Sequence, residues 1–305
     1  MLNFITSLPT PIAQGMIWGI MAIGVYITYR VLDLADLTVD GSFATGGAVL
    51  VVLTTSGVNI YLAMLIAFIA GCIAGLLTGV LHTKFGIPAI LSGILTQLAL
   101  YSINLRIMGK RANVPISWRN YDLIVSSRVE VIGSTILVCS VFILVLIGVL
   151  YWFFGTELGH SIRATGCNPA MSRANGINTN TCKVLGLVLS NGIVALAGAF
   201  LAQFQGSADV NMGKGAIVIG LAAVIIGDVI FSKIFRNFAL KLVSVVLGGV
   251  IYYIVITIVL EFGLDTDDLK LLSALVVALF LGIPYWKSKV HFGKKKEKKE
   301  VMADA

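Results

Sequence analysis

Charge is what this chain has least of. Only 12% of its 305 residues are Asp, Glu, Lys or Arg, against roughly a quarter in an ordinary soluble domain. So little charge excludes a water-solvated surface over most of the length, and a 58% hydrophobic content makes lipid the expected solvent. Histidine is also scarce. His82, His160 and His291 stand alone, with no partner at a metal-type spacing. The four cysteines, Cys72, Cys139, Cys167 and Cys182, lack the paired spacing of metal or redox sites and are read as small fillers. No metal site and no catalytic constellation is expected. No Gly-x-x-x-x-Gly-Lys-Ser/Thr occurs, so the chain has no P-loop for ATP. The first fourteen residues carry no Lys or Arg, and a cleavable signal peptide is therefore not expected.

What is present is a series of long apolar runs. In lipid every backbone polar group must be satisfied internally, which leaves helices or closed barrels. Barrel strands would alternate in short segments, and these runs do not. A span needs about 20 mostly apolar residues. Nine stretches qualify: 12–29, 41–58, 60–81, 86–105, 131–154, 184–204, 215–231, 241–260 and 270–286. The expected fold is all-α, a polytopic membrane protein of about nine helices over residues 1–286. The tail 287–305 holds seven Lys and three acids. Such a tail attracts anionic lipid and fixes topology, and its composition predicts disorder beyond about residue 292. A nucleic-acid role is not expected of it.

Basic residues set the orientation. With the tail cytoplasmic, nine spans put the N-terminus outside. Fifteen Lys and Arg then fall inside and seven outside. The loop 106–130, with five basic residues, fits this poorly.

The first two spans and the sixth and seventh share a form: an apolar helix, a polar break, then a Gly-rich helix. The breaks lie at 32–43 and 203–215. Copies five spans apart would face opposite ways. An inverted repeat with interrupted helices is a transporter signature, and the breaks point to the pathway. Two chance polar loops would look the same. Asp33, Asp36 and Asp40 flank one break, Asp209 and Asn211 the other. Asp33 and Asp36 are read as lying at the cytoplasmic surface. Asp40 precedes Gly41-Ser42 and suits either a cap on its own helix or a substrate contact. Ser92, Thr96 and Gln97 form a polar stripe on the fourth span, read as pathway-lining, with hydrogen bonding between helices as the alternative. Asp228 is expected to pair locally with Lys233 and Arg236.

The loop 155–183 is the most informative stretch. Pro169 suits a first helical turn, with Asn168 as its N-cap, and Gly176 suits its end. A helix of about two turns is too short to stand alone in water, so the bundle or a partner must hold it. Met171, Ala174 and Ile177 fall three apart on one apolar face.

The pattern Gly-x-x-Ile-Arg-Ala-x-Gly-x-Asn-Pro-x-x-x-Arg-x-x-Gly-Ile-Asn, Gly159 to Asn178, precedes a Gly/Ala-rich span, Gly186 to Gly198. It resembles the permease subunits of ABC importers of the branched-chain amino acid and ribose type. The stretch Gly15–Gly47 looks like that family's first two spans, and the resemblance covers most of 12–285. Within the family the chain looks most like a branch associated with tryptophan or tyrosine uptake. The resemblance implies that the loop is a coupling helix docked in a cleft of an ATPase subunit, through Arg163, Gly166, Asn168, Pro169, Met171, Arg173, Ala174, Gly176 and Ile177. Met171 and Ile177 would be apolar anchors and Arg163 and Arg173 rim contacts. It also implies a homodimer in the cell membrane, two ATPase subunits that hold ATP and Mg, and an external binding protein. The loop 106–130, with Arg111, Trp118 and Arg119, suits docking of that protein, or contact with lipid headgroups. The alternative is a secondary transporter driven by an ion gradient, which would need a buried carboxylate such as Asp40 for the coupling ion.

Overall fold

Prolines open the first helix. α1 (Pro9–Tyr26) has Pro in its first turn, where the fixed φ suits a helix and the missing N–H is not needed. It runs on through a π-helical turn, Ile27–Val31, and breaks at 32–37. α2 (Thr38–Thr55), α3 (Ile60–Thr83) and α4 (Ala89–Ile107) follow. Asn59 caps α3 by accepting from the Tyr61 amide at 2.9 Å. Then come β1 (Asn113–Pro115), α5 (Ile132–Phe154), α6 (Glu157–Cys167), α7 (Pro169–Ala174) and α8 (Thr179–Gln205). β2 (Ser207–Asp209), α9 (Ala216–Phe231) and α10 (Phe238–Glu261) complete the order. The structure, a computed structural model, describes residues 8–118, 121–128, 131–231, 234–235 and 237–261, with isolated positions between 271 and 282. Residues Met1–Ile254 pack as one unit and Val255–Ala305 as a second.

The chain is a helical polytopic membrane protein, and the described residues account for part of the expected nine spans. Among the described residues seven helices are long and apolar enough to cross a membrane. α9, the 215–231 stretch, has 16 residues and is a shorter apolar helix. The stretch 270–286 and the tail lie largely outside the described residues. The boundaries shift by a few residues, and one shift matters: α2 starts at Thr38 rather than at 41. A small antiparallel sheet was also not expected, with Asn113 facing Asp209, Val114 facing Ala208 and Pro115 facing Ser207. Three residues are too few for a period-two signal to register.

α1 and its π-turn, α2 and α8 form the centre, with 83%, 72% and 72% of their span windows buried, while α5 on the periphery has 22%. Small residues let the central helices touch. A methyl on Gly46 would overlap the Ala195 carbonyl, and one on Gly198 the Phe43 carbonyl, so α2 and α8 meet backbone to backbone. These contacts also give direction. Ser42 meets Asn191 and Gly46 meets Ala195, so α2 and α8 run parallel. Leu32 lies at Gly186 and Gly24 at Ser190 and Val194, so α1 and α8 run antiparallel. Gly220 lies at Val25 and Met21, and Asp228 at Arg30, so α9 runs parallel to α1. The helix before each break therefore points opposite to its counterpart, the arrangement an inverted repeat requires. One end of the bundle carries the first break and α6–α7. The other carries residues 108–131 and the second break.

Candidate functional site

Three side-chain caps in succession shape the end that carries α7. Thr156 accepts from the Gly159 amide at 3.4 Å and starts α6. Asn168 accepts from the Ala170 and Met171 amides at 3.1 and 3.0 Å and starts α7 behind Pro169. Asn178 accepts from the Asn180 and Thr181 amides at 3.2 and 3.3 Å and starts α8. Each occupies orphan amides of a first turn. Gly176 sits at φ 79°, a left-handed conformation that glycine takes without cost, and ends α7.

Which residues of this loop face outward is decided by packing. Ser172 is buried, and Met171, Arg173 and Ala174 are exposed, with Met171 at 64%. An apolar side chain that open, on a two-turn helix, is a surface without a partner. Three members of the expected docking set also contact the bundle. Ile177 packs partly against the core. The Arg163 guanidinium lies 4.1 Å from the Phe238 ring centroid and 5.5 Å from that of Phe154, so it fastens α6 to the bundle by cation–π contact while staying half-exposed. A methyl on Gly166 would overlap the Val31 carbonyl, so that glycine is where α6 touches the π-turn. Asp228, expected to pair with Lys233 and Arg236, has Arg30 at 3.5 Å. Lys233 and Arg236 lie outside the described residues.

The two carboxylates of the first break exchange the roles expected of them. Asp36, read as a surface residue, is 3% exposed. It accepts from the Thr38 amide at 2.9 Å and so caps α2. It also accepts from the Asn191 side-chain nitrogen at 2.7 Å. Asn191 donates as well to the Leu187 carbonyl at 3.0 Å and accepts from the Ser42 hydroxyl at 2.6 Å. Asn191 lies twelve residues beyond the start of α8, roughly 18 Å along it at 1.5 Å per residue. The break is therefore sealed deep in the bundle by a distant residue as well as by the local Thr38 amide. Asp40 falls inside the first turn of α2 because the helix begins early. Its two oxygens accept from the Gly215 and Ile217 amides, both at 2.9 Å, and it caps α9 of the other copy instead of its own helix.

The polar stripe on α4 divides in two. The Ser92 hydroxyl donates to the Ala89 carbonyl. Thr96 joins a buried hydroxyl chain: Thr38 and Thr78 lie 2.7 Å apart, and Thr78 donates to Thr96 at 2.9 Å. The chain ties α2, α3 and α4 together. Ser92 and Thr96 are thus spent on hydrogen bonds inside the bundle, while Gln97 lines a cavity of about 240 Å³ with Asp40, Tyr101, Asn104 and Lys214. Ser42 is fully buried and engaged with Asn191. Asp209 and Asn211 form a turn, in which the Asn211 amide donates to Asp209 at 2.6 Å; they do not line the cavity.

The loop 106–130 folds down over its end. Val125 and Ile116 are buried in the core, the Ile124 amide donates to the Gln203 side chain at 3.1 Å, and β1 pairs with β2. Arg111 is exposed. Trp118 lies under the Arg128 guanidinium, 3.2 Å from its ring centroid. Arg119 lies outside the described residues. Sequence reasoning did not single out Asn191, Asn104 or Lys214. The signal for the first two was there: an amide alone in an apolar span is costly and marks a role.

Comparison with known proteins covers nearly the whole chain. The family described as "Branched-chain amino acid transport system / permease component" matches residues 10–284. The chain is 41% identical over 268 residues to the tyrosine transport system permease protein of Clostridioides difficile, covering 88% of each chain. It is 35% identical over 274 residues to an uncharacterised protein of Rickettsia prowazekii, covering 89% of this chain and 95% of that one. It is 26% identical over 225 residues to the ribose import permease protein of Haemophilus influenzae, covering 73% and 66%.

Proposed function

Because this chain belongs to the family of branched-chain amino acid transport system permease components, non-catalytic membrane subunits of ABC transporters, we propose that it forms the pathway of an importer for an amino acid, of the aromatic kind. The observation that carries the coupling part is α7: a capped two-turn helix with Ser172 buried on one side and Met171 64% exposed on the other. An apolar anchor ringed by a basic residue suits a cleft in a partner protein. The partner in this reading is an ATPase subunit that holds ATP and Mg, and closure of two such subunits on ATP moves α7 and the helices packed on it. Two copies of the chain share the pathway. A binding protein delivers the solute at the opposite end, where Arg111 and Trp118 stand near the covering loop. That orientation puts the N-terminus and the second break outside, and α7 and the C-terminal tail in the cytoplasm. The 41% identity to a tyrosine transport permease supports the aromatic cargo.

An ion-gradient mechanism finds less support. Of the two carboxylates that could couple to an ion, Asp36 is buried and held by the Thr38 amide and Asn191, and the chain's match over residues 10–284 is to a transport-system permease component.

Co-purification tests the coupling helix. Tagged permease expressed with an ATPase subunit of the same transporter class should retain that subunit through detergent extraction. Met171→Glu places a charge at the anchor and should reduce retention by about tenfold or more, with membrane insertion intact. Full retention by this variant would remove α7 from the interface.

A further inference from the structure

α4 breaks the rule that the other peripheral helices obey. α5 and α3, buried over 22% and 39% of their windows, are strongly apolar, while α1 and α2, buried over 83% and 72%, are much less so. Lipid demands this inverse relation, because polar positions are tolerated where protein shields them. α4 is buried over only 28%, yet it is as polar as α1 and α2. Its second half carries Gln97, Tyr101, Asn104 and Arg106. Its outward residues are mostly apolar, Leu91, Leu95, Leu98 and Ile103, while its polar side chains turn inward: Ser92, Thr96 and Asn104 are buried and Gln97 is half-buried.

The cavity lies against that half of the helix. At about 240 Å³ it is below the roughly 300–1,000 Å³ of pockets for drug-sized ligands and suits a small solute. Asn104, in its wall, is 1% exposed, and among the described residues neither its amide nitrogen nor its oxygen has a hydrogen-bond partner. Buried polar groups are almost always paired, and an unpaired one requires a reason. Lys214 is exposed, with its ammonium 5.9 Å from the Tyr101 ring centroid. A buried amide that lacks both a donor and an acceptor, an exposed cation and a phenol ring thus line one small space.

We propose that this cavity holds the zwitterionic head of an α-amino acid, a reading that rests on the amino-acid importer proposed above and sharpens it. Lys214 meets the carboxylate. Asn104 offers its nitrogen to the carboxylate and its oxygen to the ammonium. Asp40 keeps lone pairs for the ammonium beyond those used by Gly215 and Ile217. The Tyr101 ring lies along the side chain. In the proposed orientation this is the outer mouth, where a delivered solute first meets the chain.

The test uses the permease assembled with its ATPase in nanodiscs. Gln97→Cys is labelled with a charged thiol reagent, and peptide mass spectrometry reads position 97 apart from the native cysteines. The probes are L-tyrosine, a panel of other L-amino acids, and D-ribose. An L-amino acid should slow labelling by about tenfold, and ribose should leave it unchanged. Adding Lys214→Glu, an exposed change that leaves packing untouched, should abolish the protection, as should Asn104→Leu, while Lys214→Arg should keep it. Equal labelling with and without every amino acid overturns the proposal, and so does protection by ribose in place of amino acids. Uptake of the labelled panel by the unaltered transporter tells the failures apart. Uptake without protection sinks the cavity alone, and absence of uptake sinks the amino-acid reading with it.

Discussion

The two interruptions of the bundle are closed in different ways. The break at 32–37 is closed by side chains from distant helices, with Asp36 held by Asn191 and Asn191 held by Ser42, all buried. The break at 206–215 is closed mostly by backbone hydrogen bonds and turns: a left-handed Gly206, a strand paired with β1, and a turn through Asp209 and Asn211. One carboxylate from the first copy, Asp40, reaches across to cap α9. A closure made of buried polar groups is costly to disturb, because each group removed strands another. A closure made of turns and exposed bonds loses little when one bond goes. The first break is thus a rigid joint, and the second tolerates change beside the cavity.

Three substitutions measure that contrast. Asn191→Leu should have the largest effect. It strands the Ser42 hydroxyl and removes a donor from buried Asp36, for a loss of about 3 kcal/mol. Thermal unfolding in detergent reads this, and a loss under about 1 kcal/mol would mean the first break is not held as described. Asp40→Ala comes next. Losing a helix cap costs about 1–2 kcal/mol, and amide hydrogen exchange at Gly215 and Ile217 should quicken while exchange within α2 stays slow. If α2 exchanged faster instead, Asp40 would be a cap of its own helix after all. Asp209→Ala should do least, under about 1 kcal/mol, because its contacts are the turn amide of Asn211 and a 3.5 Å approach from Asn113. A loss equal to that of Asn191→Leu would erase the difference between the breaks.

The same contrast explains what could be read in the sequence. α7 was legible in detail, because its signals are local: Asn168 accepts from amides two and three residues on, Pro169 fixes φ in the first turn, and Gly176 takes a left-handed φ. Its outward face was not. Met171 and Ile177 share a helical spacing, yet one is open and the other packs on the core, and only the neighbouring helices make that choice. That Arg163 also covers Phe238 was not legible either, because nothing near it in the chain announces that ring. The stripe of Ser92, Thr96 and Gln97 was real as a stripe, but its division between a hydroxyl chain and a cavity depends on Thr78 and Lys214, on other elements.

By itself the sequence determined the solvent, the helices and the short capped helix. Scarcity of charge, apolar length and cap chemistry are local quantities, carried by residues within a turn or a span of one another. The tertiary structure decided which carboxylate is buried and which helix each one caps. Asp36 finds Asn191 155 positions away, and Asp40 finds Gly215 175 positions away. Partners at that separation are chosen by how glycine-lined helices pack, backbone against backbone, and no local pattern encodes the choice.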